Sequence, residues 1–306
     1  MFHKTLALAE QLRLARIDGG SFLLPSRLLL RLSGADAFRY LNGQITRDLS
    51  RAIPGHALPA CILTPKGKLC APLLIWREND DLMVESDSSL EEGLIARLER
   101  YIVADDVSVT LEPPRELIHV FGKLADCEPW ASFPGIHVNR MGELGIDLPK
   151  DASGVASLTL LDPCVVEALR IERGIPMWGS ELTEETLPPE AGLDRTHIDY
   201  DRGCYPGQET ISRLKSIGKV NRLLCLLSVP EKTGIAPGHD IITGEEIVVG
   251  TITSMTPPIS NEVAMPQTMA MAYLKRSVVE GDLPIYALDP LTGGKTQLSI
   301  TQAISS

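Results

Sequence analysis

The sequence predicts an α+β protein that ends in a small antiparallel β-barrel. Over the first two thirds, hairpin-like and helix-like segments follow one another without regular βαβ alternation, which disfavours a doubly wound sheet. From about Val220 onward, short apolar runs alternate with Gly- and Pro-rich turns and no helix signal is strong. The chain has 306 residues, 44% hydrophobic and 23% charged, ordinary globular values; at ~150 residues per domain it holds about two. The reading is a body over 1–219 and a barrel over 220–306.

The elements follow in order. The first twenty residues suggest an amphipathic helix with Leu6, Leu8, Leu12 and Leu14 toward the core. Residues 21–32 read as a strand pair or one interrupted strand, and Ser33 as the cap of a short helix through Ala37, Phe38 and Leu41. Apolar runs at 58–64 and 69–76 flank Pro65-Lys66-Gly67-Lys68, a hairpin signal, because Pro presets one turn dihedral and Gly tolerates positive φ. A strand is expected at 82–86. A helix from Leu90 to about Tyr101 opens at Ser88 or Ser89, with acidic residues first and arginines last. Strands are expected near 107–111 and 117–122, and short strand-like pieces within 123–160. Asp162 as N-cap, Pro163 at the first helical position and Gly174 at the end mark the clearest helix. Segment 180–194 carries five acidic residues, no basic one and two prolines, and reads as an exposed, extended connection. Strands are then expected at 223–228, 246–254, 269–274 and 284–287.

Charge and motifs narrow the function. The net charge of -11 argues against bulk nucleic-acid binding, which rests on cationic side chains. No apolar run reaches the ~20 residues of a spanning helix. The N-terminus scatters charges through its apolar stretch, unlike a secretory signal, so the expected compartment is the cytoplasm. The six cysteines include no C-x-x-C pair. LTGGKT at 291–296 lacks the leading glycine of a P-loop, since Asp289 stands there, and reads as a turn between strands. No dinucleotide fingerprint, H-E-x-x-H or G-x-S-x-G is present.

Residues 201–222, DRGCYPGQETISRLKSIGKVNR, stand apart. Cys204 lies on a turn between Gly203 and Tyr205-Pro206-Gly207, just before a helix opening at Gln208-Glu209. A helix N-terminus favours the thiolate, and Arg202 can stabilise it further. Five basic residues against two acidic ones make this a local +3 patch.

R-G-C-Y-P-G-Q-E at 202–209 resembles the K-G-C-Y-x-G-Q-E signature of the YgfZ-type folate-binding family, related to the aminomethyltransferase T-protein of glycine cleavage. LNGQITRDL at 41–49, TPKGKL at 64–69, RIERGIPMWGSELTEETLPPEAGLD at 170–194, GTITSM at 250–255 and MAYLKR at 271–276 resemble further family blocks, in order along most of the chain. The resemblance implies a T-protein-like α+β fold: two interlocked ferredoxin-like units and a C-terminal antiparallel barrel around a folate channel. It implies tetrahydrofolate as cofactor and iron–sulfur client proteins or assembly factors as partners, including tRNA-modifying enzymes.

Residue by residue, it makes Cys204 the functional thiol, in a turn formed by Arg202, Tyr205, Gly207, Gln208 and Glu209. Glu172 becomes the carboxylate that holds the pterin, with Arg170, Gln44 and Lys66 as further folate contacts. Two departures matter. Arg202 replaces a lysine, keeping the charge but excluding chemistry that needs a deprotonated amine. Gly67-Lys68-Leu69-Cys70-Ala71 lacks the carboxylate that follows the T-protein hairpin, which argues against aminomethyl transfer. That transfer is the alternative activity. A few tRNA phosphates could be met by 202–222, but the net charge predicts weak, salt-sensitive contact.

Overall fold

The computed structural model describes residues 6–216, 218–230, 234–259, 268–281 and 283–305. The first five residues and Ile217, included in the readings above, lie outside the described residues.

The hairpin signal around Gly67 forms as expected and starts a five-stranded antiparallel sheet. Its order is Leu58–Leu63, Leu69–Glu78, Asp81–Asp87, Arg27–Ser33, Ser108–Leu111. Strand alternation sends Leu28, Leu30, Leu32, Leu73, Ile75 and Val84 to one face. There they bury against the helices Ala37–Asn42 and Glu91–Glu99, through Tyr40, Leu41, Leu94 and Leu98. The same alternation puts Arg27, Leu29, Trp76, Met83 and Glu85 on the other face.

That second face meets a four-stranded antiparallel sheet, ordered Gly20–Leu23, Leu117–Phe121, Leu144–Pro149, Ile136–Asn139. Ile136 of its edge strand packs with Leu29, Trp76 and Met83. The helices Leu8–Asp18 and Pro163–Glu172 pack on that same face beside it, burying Leu12, Ala15, Val165 and Leu169 with Phe22 and Phe121, while Trp130 and Val155 cover the opposite face with Ile118, Val120, Ile146 and Leu148. The chain thus enters this sheet at Gly20, leaves to build the five-stranded sheet, and returns at Leu117. Residues 21–32 do hold two strands, but in different sheets. Pro25, which cannot donate to a ladder, sits at the break.

The barrel is closed. Its six strands run Arg222–Val229, Thr268–Lys275, Val248–Met255, Asp240–Thr243, Ile285–Leu288, Lys295–Ala303 and back to the first. The sequence reading missed Asp240–Thr243, four residues long, and gave no bounds for the strand after the LTGGKT turn, Lys295–Ala303, whose one buried side chain is Leu298. It also missed the short helix Arg276–Glu280. LTGGKT forms the expected turn: the Asp289 carboxylate accepts from Leu291 N and Thr292 Oγ1.

Three local expectations are corrected. Ser33 caps no helix; it ends a strand, and its hydroxyl bonds Ser108. Leu6 is exposed and Leu8 and Leu14 are only half-buried; the first helix buries Leu12 as expected, together with Ala9 and Ala15. Segment 180–194 is not an exposed connection. Glu181, Leu182, Thr186 and Glu190 are buried, and its carboxylates pair with Arg170, Lys68 and Arg222. Three separate cations absorb a charge run that composition alone reads as solvated. The cap at Asp162 is as expected: its carboxylate accepts from Cys164 N at 2.8 Å, and Gly174 takes φ 63°. No helix among the described residues is long and apolar enough to cross a membrane.

Candidate functional site: a thiol turn and an inter-sheet cleft

Three of the motif blocks meet around Cys204. The helix Gln208–Ser216 starts where expected, and Cys204 is exposed on the turn before it. Tyr205 is buried beneath this turn. Gly207 (φ 84°) packs so closely on the 64–68 hairpin that a Cβ there would lie 2.5 Å from Thr64 O and 3.0 Å from Gly67 Cα. Gly67 in turn abuts Thr210, 3.0 Å from its own built Cβ. Gln208 Nε2 donates to Arg202 O at 3.3 Å, and Glu209 is exposed.

Arg202 is anchored by backbone carbonyls. Its guanidinium donates to the carbonyls of Asn42, Ile45, Arg47 and Gly203, and stacks over Tyr205 with 5.5 Å to the ring centroid. It ties the 41–49 block to the turn. The +3 patch also disperses. Arg222 pairs with Glu190, Lys219 with Glu280, and Lys215 lies over the Tyr200 ring at 3.5 Å.

A second junction joins the 170–194 block to the barrel. Buried Arg170 bonds Glu167, Glu181, Ile175 O and Ser254, and Ser254 donates to Glu181 at 2.5 Å. Tyr273 donates to Glu181 O at 3.0 Å. Arg170 therefore acts as a structural hub. Glu172 is held by the Arg16 guanidinium through two bonds, 2.5 and 3.0 Å long. Gln44 accepts from Arg97 at 3.0 Å, and Lys66 is exposed at the hairpin tip. The four residues expected at folate thus sit in three places.

None of those four lines the cavity between the two sheets. It is a cleft of about 820 Å³ between the two sheets, a volume suited to a drug-sized ligand. Leu29, Trp76, Ile136 and Pro149 give it apolar walls; Arg115, Glu116 and Lys150 stand among its polar lining. Its buried floor is charged. Arg140 donates to Glu85 at 2.7 and 2.8 Å and to Asp147 at 2.6 Å. Arg27 donates to Glu85 at 3.0 Å, and His119 Nδ1 to Asp147 at 2.8 Å.

Burial acts to raise the Asp147 pKa, but the Arg140 charge and the His119 bond outweigh it and hold the carboxyl below its ordinary range. Arg140 is held above its ordinary value by the same pairing, against burial. The indole Nε1 of Trp76 is buried without a partner. Sequence reading missed this site, although an arginine at 27, a tryptophan at 76 and a glutamate at 85, all inside apolar strands, were a signal.

No family model matches the chain. It is 27% identical over 237 residues to the tRNA-modifying protein YgfZ of Yersinia pseudotuberculosis, covering 70% of this chain and 72% of that protein. It is 30% identical over 222 residues to an aminomethyltransferase of Bordetella parapertussis, covering 61% of each. The solved glycine cleavage system aminomethyltransferase T of Bartonella henselae matches 98% of this chain and 89% of its own, with a TM-score of 0.78 at 17% identity. At that identity the structural match speaks for the fold. In sequence this chain is similar to YgfZ and aminomethyltransferase proteins, and it is built on the aminomethyltransferase T fold.

Proposed function

We propose that this chain binds tetrahydrofolate in the inter-sheet cleft and serves, in the cytoplasm, as an accessory factor for making or repairing iron–sulfur enzymes, tRNA-modifying ones among them. Cys204 is its functional thiol. The observation that carries the folate assignment is the cleft itself: apolar walls for a flat heterocycle, a buried polar floor for its hydrogen-bonding edge, and Arg115 and Lys150 for the glutamate carboxylates. Those two cations are already paired with Glu78 and Glu116. Pairs this exposed are worth at most about 1 kcal/mol, so a ligand carboxylate can displace them. The exposed turn supports the thiol's role, because a client can reach Cys204 without unfolding the site.

Aminomethyl transfer is less well supported. Position 70 is a half-buried cysteine and position 71 a buried alanine, where the T-protein resemblance calls for a carboxylate. The two buried carboxylates of the cleft are both held by Arg140, so neither is placed as a free base.

The test is a gene deletion scored by iron–sulfur enzyme activities and by mass spectrometry of modified tRNA nucleosides. Both fall in the deletion strain and return with the wild-type gene but not with Cys204→Ala. Unchanged activities in the deletion strain contradict the proposal.

A further inference from the structure

We infer that Trp76 and Glu85 form a donor–acceptor pair that reads the lactam edge, –NH–C(=O)–, of the ligand's heterocycle. This rests on the folate reading above and adds the residues that set its specificity. Leu74 pairs with Glu85 across the ladder and Trp76 with Met83, so Trp76 and Glu85 are diagonal neighbours on one face, within reach of long side chains. Both line the cleft.

Their hydrogen-bonding capacity is unfinished in complementary ways. Trp76 is 6% exposed, and its indole N–H has no acceptor. Glu85 Oε1 accepts from Arg27 and Arg140, but Oε2 accepts from Arg140 alone. A carboxylate oxygen takes two donors, so Oε2 has one place left. Asp147 is engaged on both oxygens by Arg140 and on one by His119. The floor therefore offers one donor beside one acceptor. A lactam presents the complement, and the 2-amino-4-oxo ring of a pterin carries one at N3 and O4. A 4-amino ring reverses the order: its N3 lone pair would face the carboxylate and its amino group the indole N–H. Sites built this way reject the mismatched analogue strongly, because their buried groups are left unpaired.

The test is anaerobic calorimetry with tetrahydrofolate and its 4-amino counterpart, tetrahydroaminopterin, on wild type and Trp76→Phe. Wild type is expected to prefer tetrahydrofolate by at least ~10-fold. Trp76→Phe is expected to weaken tetrahydrofolate by roughly 5-fold, the worth of one hydrogen bond, and to leave tetrahydroaminopterin within about twofold, since that ligand gains nothing from the N–H. A wild-type ratio near one, or an equal loss for both ligands in Trp76→Phe, overturns the inference while leaving folate binding intact. Absence of tetrahydrofolate binding by wild type overturns the folate reading and this inference with it. Should Trp76→Phe not fold, the wild-type ratio still decides. So does the Trp76 indole N–H resonance, which moves downfield on adding tetrahydrofolate if the bond forms and stays in place if it does not.

Discussion

Gly67 and Gly207 pack backbone against backbone: a Cβ on Gly207 would lie 3.0 Å from the Gly67 Cα, and both glycines have positive φ, 79° and 84°. This contact joins the 64–68 hairpin to the turn that carries Cys204, so the position of the thiol depends on two residues with no side chain.

Replacing Gly207 with alanine adds left-handed strain of about 1 kcal/mol to a clash with Thr64 O at 2.5 Å. A loss of about 2–4 kcal/mol in urea unfolding is expected. Gly203→Ala is the control. A Cβ there meets nothing within 4 Å, and stability should hold within ~0.5 kcal/mol.

Thiol accessibility separates the six cysteines. Cys127, Cys164 and Cys204 are exposed, while Cys61 and Cys225 are buried. Burial pushes the Cys225 thiol up to about 12 and Cys61 higher still. Titration of the native protein with an aromatic disulfide should modify the three exposed thiols first and reach Cys61 and Cys225 only on denaturation. Rapid native labelling of Cys61 contradicts the packing described.

Arg140 holds two buried carboxylates at once. Arg140→Met leaves Glu85 with Arg27 and Asp147 with His119, and should cost about 3–5 kcal/mol at pH 7, as breaking a buried pair does. The loss should shrink as pH falls, because a buried Asp147 left without Arg140 takes up a proton more readily than it does in wild type. A loss under ~1 kcal/mol at pH 7 means the network carries little of the interface between the sheets.

His197 gives the acid side of the stability profile. Burial, with the Arg47 charge, lowers its pKa to about 4 from an ordinary 6.5. Its unfolded form therefore binds a proton more readily than its folded form. Stability from the neutral ring is complete above pH 6.5 and is lost as pH falls toward 4. Allowing for partial exposure, it is worth on the order of 2 kcal/mol. His197→Gln should flatten urea-midpoint curves between pH 6.5 and 4; an unchanged slope there places the acid sensitivity elsewhere.

Much of the fold was legible in the chain. Pro65-Lys66-Gly67 marked its hairpin, and Asp162, Pro163 and Gly174 marked their helix, because caps and turns are written in local chemistry. The Cys204 turn was legible for the same reason. The cleft was not, because it is made by two sheets meeting, and strand periodicity does not say which faces meet. Glu172 and Arg170 illustrate the converse. Their motif was visible, but their partners Arg16 and Ser254 lie elsewhere in sequence. The acidic run at 180–194 read as solvated for want of the same long-range information.

The central claim is that folate and thiol occupy separate places, the cleft and the turn. Anaerobic calorimetric titration of tetrahydrofolate into wild type, Cys204→Ala and Glu85→Gln tests it most directly. Wild type and Cys204→Ala should bind alike, and Glu85→Gln at least ~10-fold more weakly, because the acceptor at the floor is compromised. Loss of binding in Cys204→Ala with full binding in Glu85→Gln would put the ligand at the turn and contradict the account.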